Sequence, residues 1–295
     1  MDFGRSSASI NLKEKCIFFF FLIANQIIRH FFFIAKKKQM GLWTRFCAWV
    51  ERLINAFSVT TTPVVQYECL CVEGDSESWG CSSTQGMRPT MEDTYAMAMG
   101  TWGNFTVHGF AVMDGHKGSE AAEFAKDNFE FYLERAMSTR FKQLQIDAVN
   151  NQRKRNVVYD KEKESFRWIV DALHNAVCCL DNDFLRSVRY LMIDPACTLC
   201  AVVIAVDRGT GNRRIITANL GDSRAVMCQV RRDGGNDVHE VTVRGIPLTQ
   251  DQTSDNPAER QRIERLGGYF RHNGRLGVSG RIPTGLIGAP FDKVG

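Results

Sequence analysis

The amino-acid sequence predicts an α+β fold built on antiparallel sheet. Three observations carry this: short runs rich in β-branched and aromatic residues are bounded by turn formers, two much longer segments repeat apolar residues at helical spacing, and the later strands are joined by turns short enough for hairpins. The composition agrees, since 295 residues at 44% hydrophobic and 24% charged suffice for one large core or two modest ones. A net charge of +4, scattered along the chain, excludes the concentrated basic face that a nucleic-acid partner requires. Ten cysteines diluted over this length, with no clean small-residue cleavage site, fit a reducing, cytoplasmic protein rather than a disulfide-stapled secreted one.

Residues 1–39 are a low-complexity segment rich in Phe and Lys. The apolar run from Ile17 to Ala35 has the length to span a bilayer, and lysines flank it on both sides. Asn25, Gln26, Arg29 and His30 sit near its middle, however, and a cation at the centre of a lone spanning helix costs about 2.5–3.5 kcal/mol. Residues 17–35 are therefore a poor transmembrane helix, and they are the only stretch through which a membrane would be met. The blocks FFFF, FFF and KKK are also what T-rich and A-rich non-coding DNA yields on translation, which favours Met40 as the start. Within residues 40–63, Trp43, Phe46, Trp49, Val50 and Leu53 recur at helical spacing, so an amphipathic helix docked on the main domain is expected before the linker Thr60 to Pro63. Arg45 stands where a myristoylation signal needs serine or threonine.

The main domain, residues 64–295, is expected to place strands at Thr94 to Met99, Thr106 to Met113, Thr198 to Val206, Arg214 to Asn219, Ala225 to Val230 and Val238 to Val243. Asp207 to Gly211 (DRGTG) and Arg232 to Asn236 (RDGGN) have turn compositions, so pairing in sequence order follows. A first helix starts at Ser119 as N-cap, with Ala122, Ala125, Phe129, Leu133 and Met137 on one stripe. A second runs from about Lys161 to Val188 and buries Phe166, Ile169, Val170, Leu173, Val177, Leu180 and Phe184. Between them, Arg140 to Asp160 reads as a solvated loop, and its Arg153-Lys154-Arg155 triplet as part of that loop rather than a nuclear signal. A third, short helix is punctuated by Asn256 as N-cap, Pro257 in the first position, Ile263 and Leu266 inward, and Gly267 and Gly268 at its stop.

Carboxylates fixed at strand ends mark where chemistry can sit. In Gly86 to Asp93 (GMRPTMED), Arg88 and the adjacent acids Glu92 and Asp93 precede a strand. Neighbours on an extended segment face opposite ways, so a role through water is implied for one of the two acids unless the chain bends. Asp114-Gly115-His116 ends the apolar strand GFAVM and opens into the first helix, bringing together a carboxylate, a glycine carbonyl and an imidazole. Gly221 to Arg224 (GDSR) adds Asp222. Taken singly, each of these is ordinary turn punctuation. Cys197 and Cys200 read as buried thiols, since no second pair with zinc spacing follows, and Cys178 and Cys179 read as core residues. His108 and His174 read as structural, and no phosphate-binding glycine loop is present.

The order of the motifs carries more than any one of them. R-P-T-M-E-D, V-M-D-G-H-K-G-S-E-A-A, A-N-L-G-D-S-R-A-V, L-T-Q-D-Q, R-I-E-R-L-G-G and R-L-G-V-S follow one another between Trp79 and Ser279, and this series resembles the metal-dependent protein serine/threonine phosphatases of type 2C. The resemblance implies a sandwich of two antiparallel β-sheets flanked by helices, with a two-metal site in the cleft at one end. Carried onto this sequence, it makes Asp114 the carboxylate bridging two Mg²⁺ or Mn²⁺ ions, with the Gly115 carbonyl on one of them. Glu92 and Asp93 would hold metal-bound waters or the metals, and Asp222 would lie near a weaker third ion. Arg88 would grip the substrate phosphate and His116 would protonate the leaving oxygen, while water activated by the two cations attacks phosphorus in line. The implied partners are phosphoserine and phosphothreonine proteins, met by a monomer.

Two departures from the family pattern stand out. Lys117 occupies a place where the family usually has a small residue. After Val278 and Ser279 the family reads into R-A-(F/L)-G-D, whereas Gly280 to Gly288 reads GRIPTGLIG, and the later D-G-x-x-D and D-N motifs do not follow. On this reading the domain is incomplete at its C-terminus, one sheet edge is unpaired, and Asp114 is the only direct protein ligand left to the first metal. Three function classes then compete: a phosphatase with a truncated gene model, a catalytically impaired fragment serving as a phosphoprotein-binding or decoy module, and an unrelated metal-binding domain.

Overall fold

A computed structural model describes residues 18–24, 27–36, 66–70, 77–83, 85, 88–151, 161–188, 195–235, 238–265, 268–270 and 276–278. The chain divides into two compact units, one formed by Met1–Leu12, Glu92–Ser223 and Gln250–Gly295, the other by Lys13–Met91 and Arg224–Thr249. In chain order, β1 (Phe18–Ala24) and β2 (Ile27–Lys36) form an antiparallel pair that continues through β4 (Glu77–Ser83) to β3 (Gln66–Leu70). The Phe-rich run is thus strand, and no helix among the described residues is long and apolar enough to cross a membrane. The amphipathic segment at Gly41 to Phe57, the basic triplet 153–155 and the stretch Gly280 to Gly288 lie outside the described residues.

The other unit is built on β5 (Thr94–Trp102), β6 (Phe105–Met113), the short β7 (Gly115–His116), helices α1 (Glu120–Asn151) and α2 (Lys161–Ser187), the short β8 (Ala196–Cys197), β9 (Leu199–Asp207) and β10 (Arg213–Leu220). Its sheet runs β5-β6-β9-β10, antiparallel throughout, so the strands pair in sequence order and the two helices fill the connection from β6 to β9. A hairpin of β11 (Val226–Gly235) and β12 (Val238–Pro247) belongs to the unit that holds β1 to β4. Helix α3 (Pro257–Arg265) and the small pair β13 (Gly268–Phe270) and β14 (Leu276–Val278) follow.

The core explains why these segments fold as they do. Val107, Ala111 and Met113 of β6 and Leu199, Ala201, Val203 and Ala205 of β9 form one face with the buried stripes of α1 and α2. Small residues on both sides, such as Ala111, Ala201, Ala122 and Ala125, let the helices come close to the sheet, while Leu133, Ile169, Leu173 and Leu180 fill the space between. Burying each of these larger side chains contributes about 1.5–3 kcal/mol. Phe110, Val112, Val202 and Ile204 on the opposite face are buried too, which is why these strands read as near-continuous apolar runs.

Three expectations need correction. Helix α1 does not stop before Arg140 but continues to Asn151, because Phe141 and Leu144 extend the stripe of Met137 onto the core and Phe141 meets the Trp168 ring at 5.5 Å. Strand β11 runs through Arg232 to Gly235, so the hairpin reverses later than RDGGN suggested, with Gly235 paired to Val238. Cys179 is exposed and Cys178 only half-buried, because they lie on the outward side of α2, whereas Cys197 and Cys200 are buried as expected. The DRGTG turn forms as read: Asp207 accepts backbone bonds from Gly209 and Gly211, and Gly211 takes φ +73°. Helix α3 is capped as read, with the Asn256 side-chain oxygen accepting from the Ala258 N–H at 3.1 Å and the Glu259 N–H at 3.5 Å.

Candidate active site

Antiparallel order brings four strand ends to one end of the β5-β6-β9-β10 sheet: the start of β5, the end of β6, the start of β9 and the end of β10. Glu92 and Asp93, Asp114, and Asp222 are each attached to one of them. The pairing of β5 with β6 ends at Thr94 opposite Met113, and the same register carried onward sets Glu92 against Gly115. There the Gly115 N–H donates to the Glu92 carbonyl at 3.1 Å. The pairing of β6 with β9 likewise continues past the break at Asp114, because β7 and β8 pair Gly115 with Cys197 and His116 with Ala196. Between these pairs, Thr198 and Asp114 exchange bonds: the Thr198 N–H donates to the Asp114 carbonyl at 2.9 Å, and the Asp114 N–H donates to the Thr198 hydroxyl at 3.0 Å.

Gly115 is required by this closeness. A Cβ there would lie 2.4 Å from the Glu92 carbonyl oxygen, so the strand ends could not approach as they do with any side chain in place. The Asp114 side chain is 14% exposed, open at one side but mostly enclosed, and His116 is 44% exposed. The His116 Nδ1 lies 3.0 Å from the Asp114 carbonyl oxygen. A carbonyl can only accept, so Nδ1 carries the proton of that bond and Nε2 is the nitrogen turned to other work. Glu92 holds the turn a second time, its carboxylate accepting from the Gly118 N–H at 3.5 Å. Asp93 is buried, next to Thr94, whose hydroxyl donates to the Ala122 carbonyl in the first turn of α1.

The GDSR loop joins the same network through hydroxyls. Ser223, buried like Thr198, places its Oγ 2.6 Å from the Thr198 Oγ1. Gly221 takes φ +88°, and its carbonyl accepts from the Gln252 N–H at 2.9 Å and from the Asn219 side chain at 3.1 Å, which fixes the loop that carries Asp222. The structure therefore brings Glu92, Asp114, Gly115 and His116 into one bonded cluster and ties the Asp222 loop to it through Ser223 and Thr198. Arg88 belongs to the other unit, where it is exposed and its backbone exchanges bonds with Gln85. Thr198 and Ser223 are the site residues to which the sequence reading gave no role. The available signal was a hydroxyl inside the otherwise apolar run ACTLCAVVIAV.

The donors that this cluster offers are carboxylate and carbonyl oxygens, the hard ligands preferred by Mg²⁺ and Mn²⁺, so the donor chemistry fits such ions. Among the described residues, no group of three or more His, Cys, Asp or Glu side chains is placed to hold one, so Asp114 and Gly115 would need water or substrate oxygens to fill a coordination shell.

The comparison with known proteins agrees with the motif order. A model of the family described as protein phosphatase 2C matches residues 78–279. Probable protein phosphatase 2C 55 of Oryza sativa subsp. japonica is 31% identical over 218 residues, covering 71% of this chain and 46% of its own. Protein phosphatase 1L of Bos taurus is 28% identical over 202 residues, covering 67% and 45%. The mitochondrial protein phosphatase 1K of Xenopus laevis is 27% identical over 244 residues, covering 81% and 53%. A solved C. elegans sex determining protein aligns over 90% of this chain and 54% of its own, at 16% identity and a TM-score of 0.41. The chain belongs to the protein phosphatase 2C family. It spans about half the length of the curated relatives it matches.

Proposed function

We propose that this protein removes phosphate from phosphoserine and phosphothreonine in proteins, in a reaction that depends on Mg²⁺ or Mn²⁺. The observation that carries the reading is the Asp114-Gly115-His116 turn, held by Glu92 and Thr198 at the strand ends of a domain whose family match spans residues 78–279. Asp114 and the Gly115 carbonyl would hold two ions, Glu92 and Asp93 would act on them directly or through water, and Asp222 would stand near a weaker third. When bound, these ions supply Lewis acidity, making water nucleophilic at neutral pH and neutralising charge on the phosphoryl oxygens.

The chain's own residues do the rest. Thr198 and Glu92 fix the backbone of the turn on both sides of Asp114, so its carboxylate is oriented before substrate arrives. With Nδ1–H committed to the Asp114 carbonyl, His116 presents Nε2 and, when doubly protonated, delivers that proton to the departing serine or threonine oxygen. The chemistry needs no covalent enzyme intermediate.

The test is phosphate release from a phosphothreonine peptide by the full chain with millimolar Mn²⁺, beside Asp114→Asn. Release that is lost on chelation, and falls by at least about 100-fold in the variant, is the expected result. A folded wild-type protein that releases no phosphate would sink the proposal.

A further inference from the structure

Lys117 has φ +60° and is the one non-glycine residue with positive φ among the described residues. A side chain crowds the following carbonyl in this conformation, whereas glycine adopts it freely. The turn holds Lys117 there from both sides. Before it, the Gly115 N–H is bonded to the Glu92 carbonyl; after it, the Gly118 N–H is bonded to the Glu92 carboxylate. Gly118 itself takes φ +120°, so two consecutive residues of the turn stand in backbone regions that favour glycine. A lysine thus stands where the backbone suits glycine, which puts a cation at this turn.

Lys117 is exposed and makes no ion pair with a described residue, although Asp114, Glu92 and Glu120 all belong to or touch the same turn. We propose that Lys117 determines substrate specificity by binding a second anionic group of the substrate, a carboxylate or a second phosphate close in sequence to the phosphorylated residue. This rests on the reading of Asp114-Gly115-His116 as the phosphoryl site. Lys117 directly follows the residue that protonates the leaving oxygen, so the peptide flanking that oxygen passes within reach of its flexible stem. An ammonium is a compact point charge without a fixed fork, so it accepts either anion without a set geometry. Because it is exposed, its contribution is screened and expresses itself as preference between substrates rather than as tight binding.

The experiment uses the full chain and three phosphothreonine peptides that differ only in their flanks: neutral, Asp-containing, and carrying a second phosphothreonine. The measured quantity is the ratio of kcat/KM for each acidic peptide to that for the neutral one, in wild type, Lys117→Gln, Lys117→Arg and Lys117→Glu. A wild-type ratio of about 3 to 5 is expected, carried by KM and shrinking as salt is raised. It should fall toward one in Lys117→Gln, persist in Lys117→Arg and drop below one in Lys117→Glu. The larger of the two acidic ratios identifies the anion preferred. A wild-type ratio of one, or a ratio indifferent to the charge at 117, overturns the inference and leaves the phosphatase reading standing. If no peptide is hydrolysed, that reading fails instead, and fluorescence anisotropy of the same labelled peptides on the same variants decides the inference: binding that follows the charge at 117 supports it, and binding that does not refutes it.

Discussion

Replacing Thr198 by valine keeps the shape of the side chain and removes one oxygen. That oxygen accepts the Asp114 N–H at 3.0 Å and meets the Ser223 hydroxyl at 2.6 Å, and both Thr198 and Ser223 are buried, at 1% and 3% exposure. The variant therefore strands two polar groups rather than trading them to water, and each costs about 1–3 kcal/mol when left without a partner. A loss of about 2–4 kcal/mol in unfolding free energy is expected, read from urea denaturation at constant slope. Thr198→Ser, which restores the oxygen and removes only a methyl, should recover most of it. In a cycle with Ser223→Ala, the coupling between the two positions should be about 1 kcal/mol, because the second substitution removes one of the groups that the first strands. If Thr198→Val lies within about 0.5 kcal/mol of wild type, the hydroxyl pair does not hold the Asp114 turn and the reasoning is wrong.

Two further expectations concern the same unit. Gly115→Ala drives a methyl against the Glu92 carbonyl 2.4 Å away, so it should destabilise by about 3 kcal/mol or more in the same assay, and a neutral result would mean that the strand ends are not packed as described. Tyr132 donates to Asp183 across the two long helices at 2.6 Å; burial and then this bond push its phenol up to about 12, and the bond holds Asp183 below the usual carboxylate range. A raised phenol stabilises the fold fully below its unfolded value of 10.0 and loses that contribution as pH rises through about 12, whereas a lowered Asp183 loses its contribution as pH falls below 3.8. The stability difference between wild type and Tyr132→Phe should therefore hold steady between these limits and shrink outside them. A difference that does not change with pH would contradict this.

Much of the candidate site was legible as residues but not as a site. Glu92, Asp114 and Asp222 stood out because carboxylates at strand ends, two of them next to glycine and one beside a second acid, are chemically conspicuous. Their mutual arrangement was hidden, since the bond between Gly115 and Glu92 and the bond between Asp114 and Thr198 join positions that no local pattern connects. The long tail of α1 was missed for a related reason. Residues Arg140 to Asn151 are polar enough to read as loop, and only contact with α2 and the sheet shows that Phe141 and Leu144 suffice to hold them helical. Cys178 and Cys179 were misplaced because α2 has an apolar stripe near both, and a thiol's hydrophobicity does not say on which side of the stripe it falls.

What the sequence determined by itself is whatever depends on neighbours a few residues away. The stripes of α1 and α2, the Asn256 cap and Pro257 start of α3, the DRGTG turn and the order of strands and helices all follow from periodicity and backbone preference, which act over one or two turns. The family, too, was readable, because it rests on the order of short motifs. Only the tertiary structure decided which strand ends meet. Sheet register sets that, and register is fixed by side-chain packing across strands far apart in the chain, so the same acids at the same positions become a site only when β5, β6, β9 and β10 align as they do.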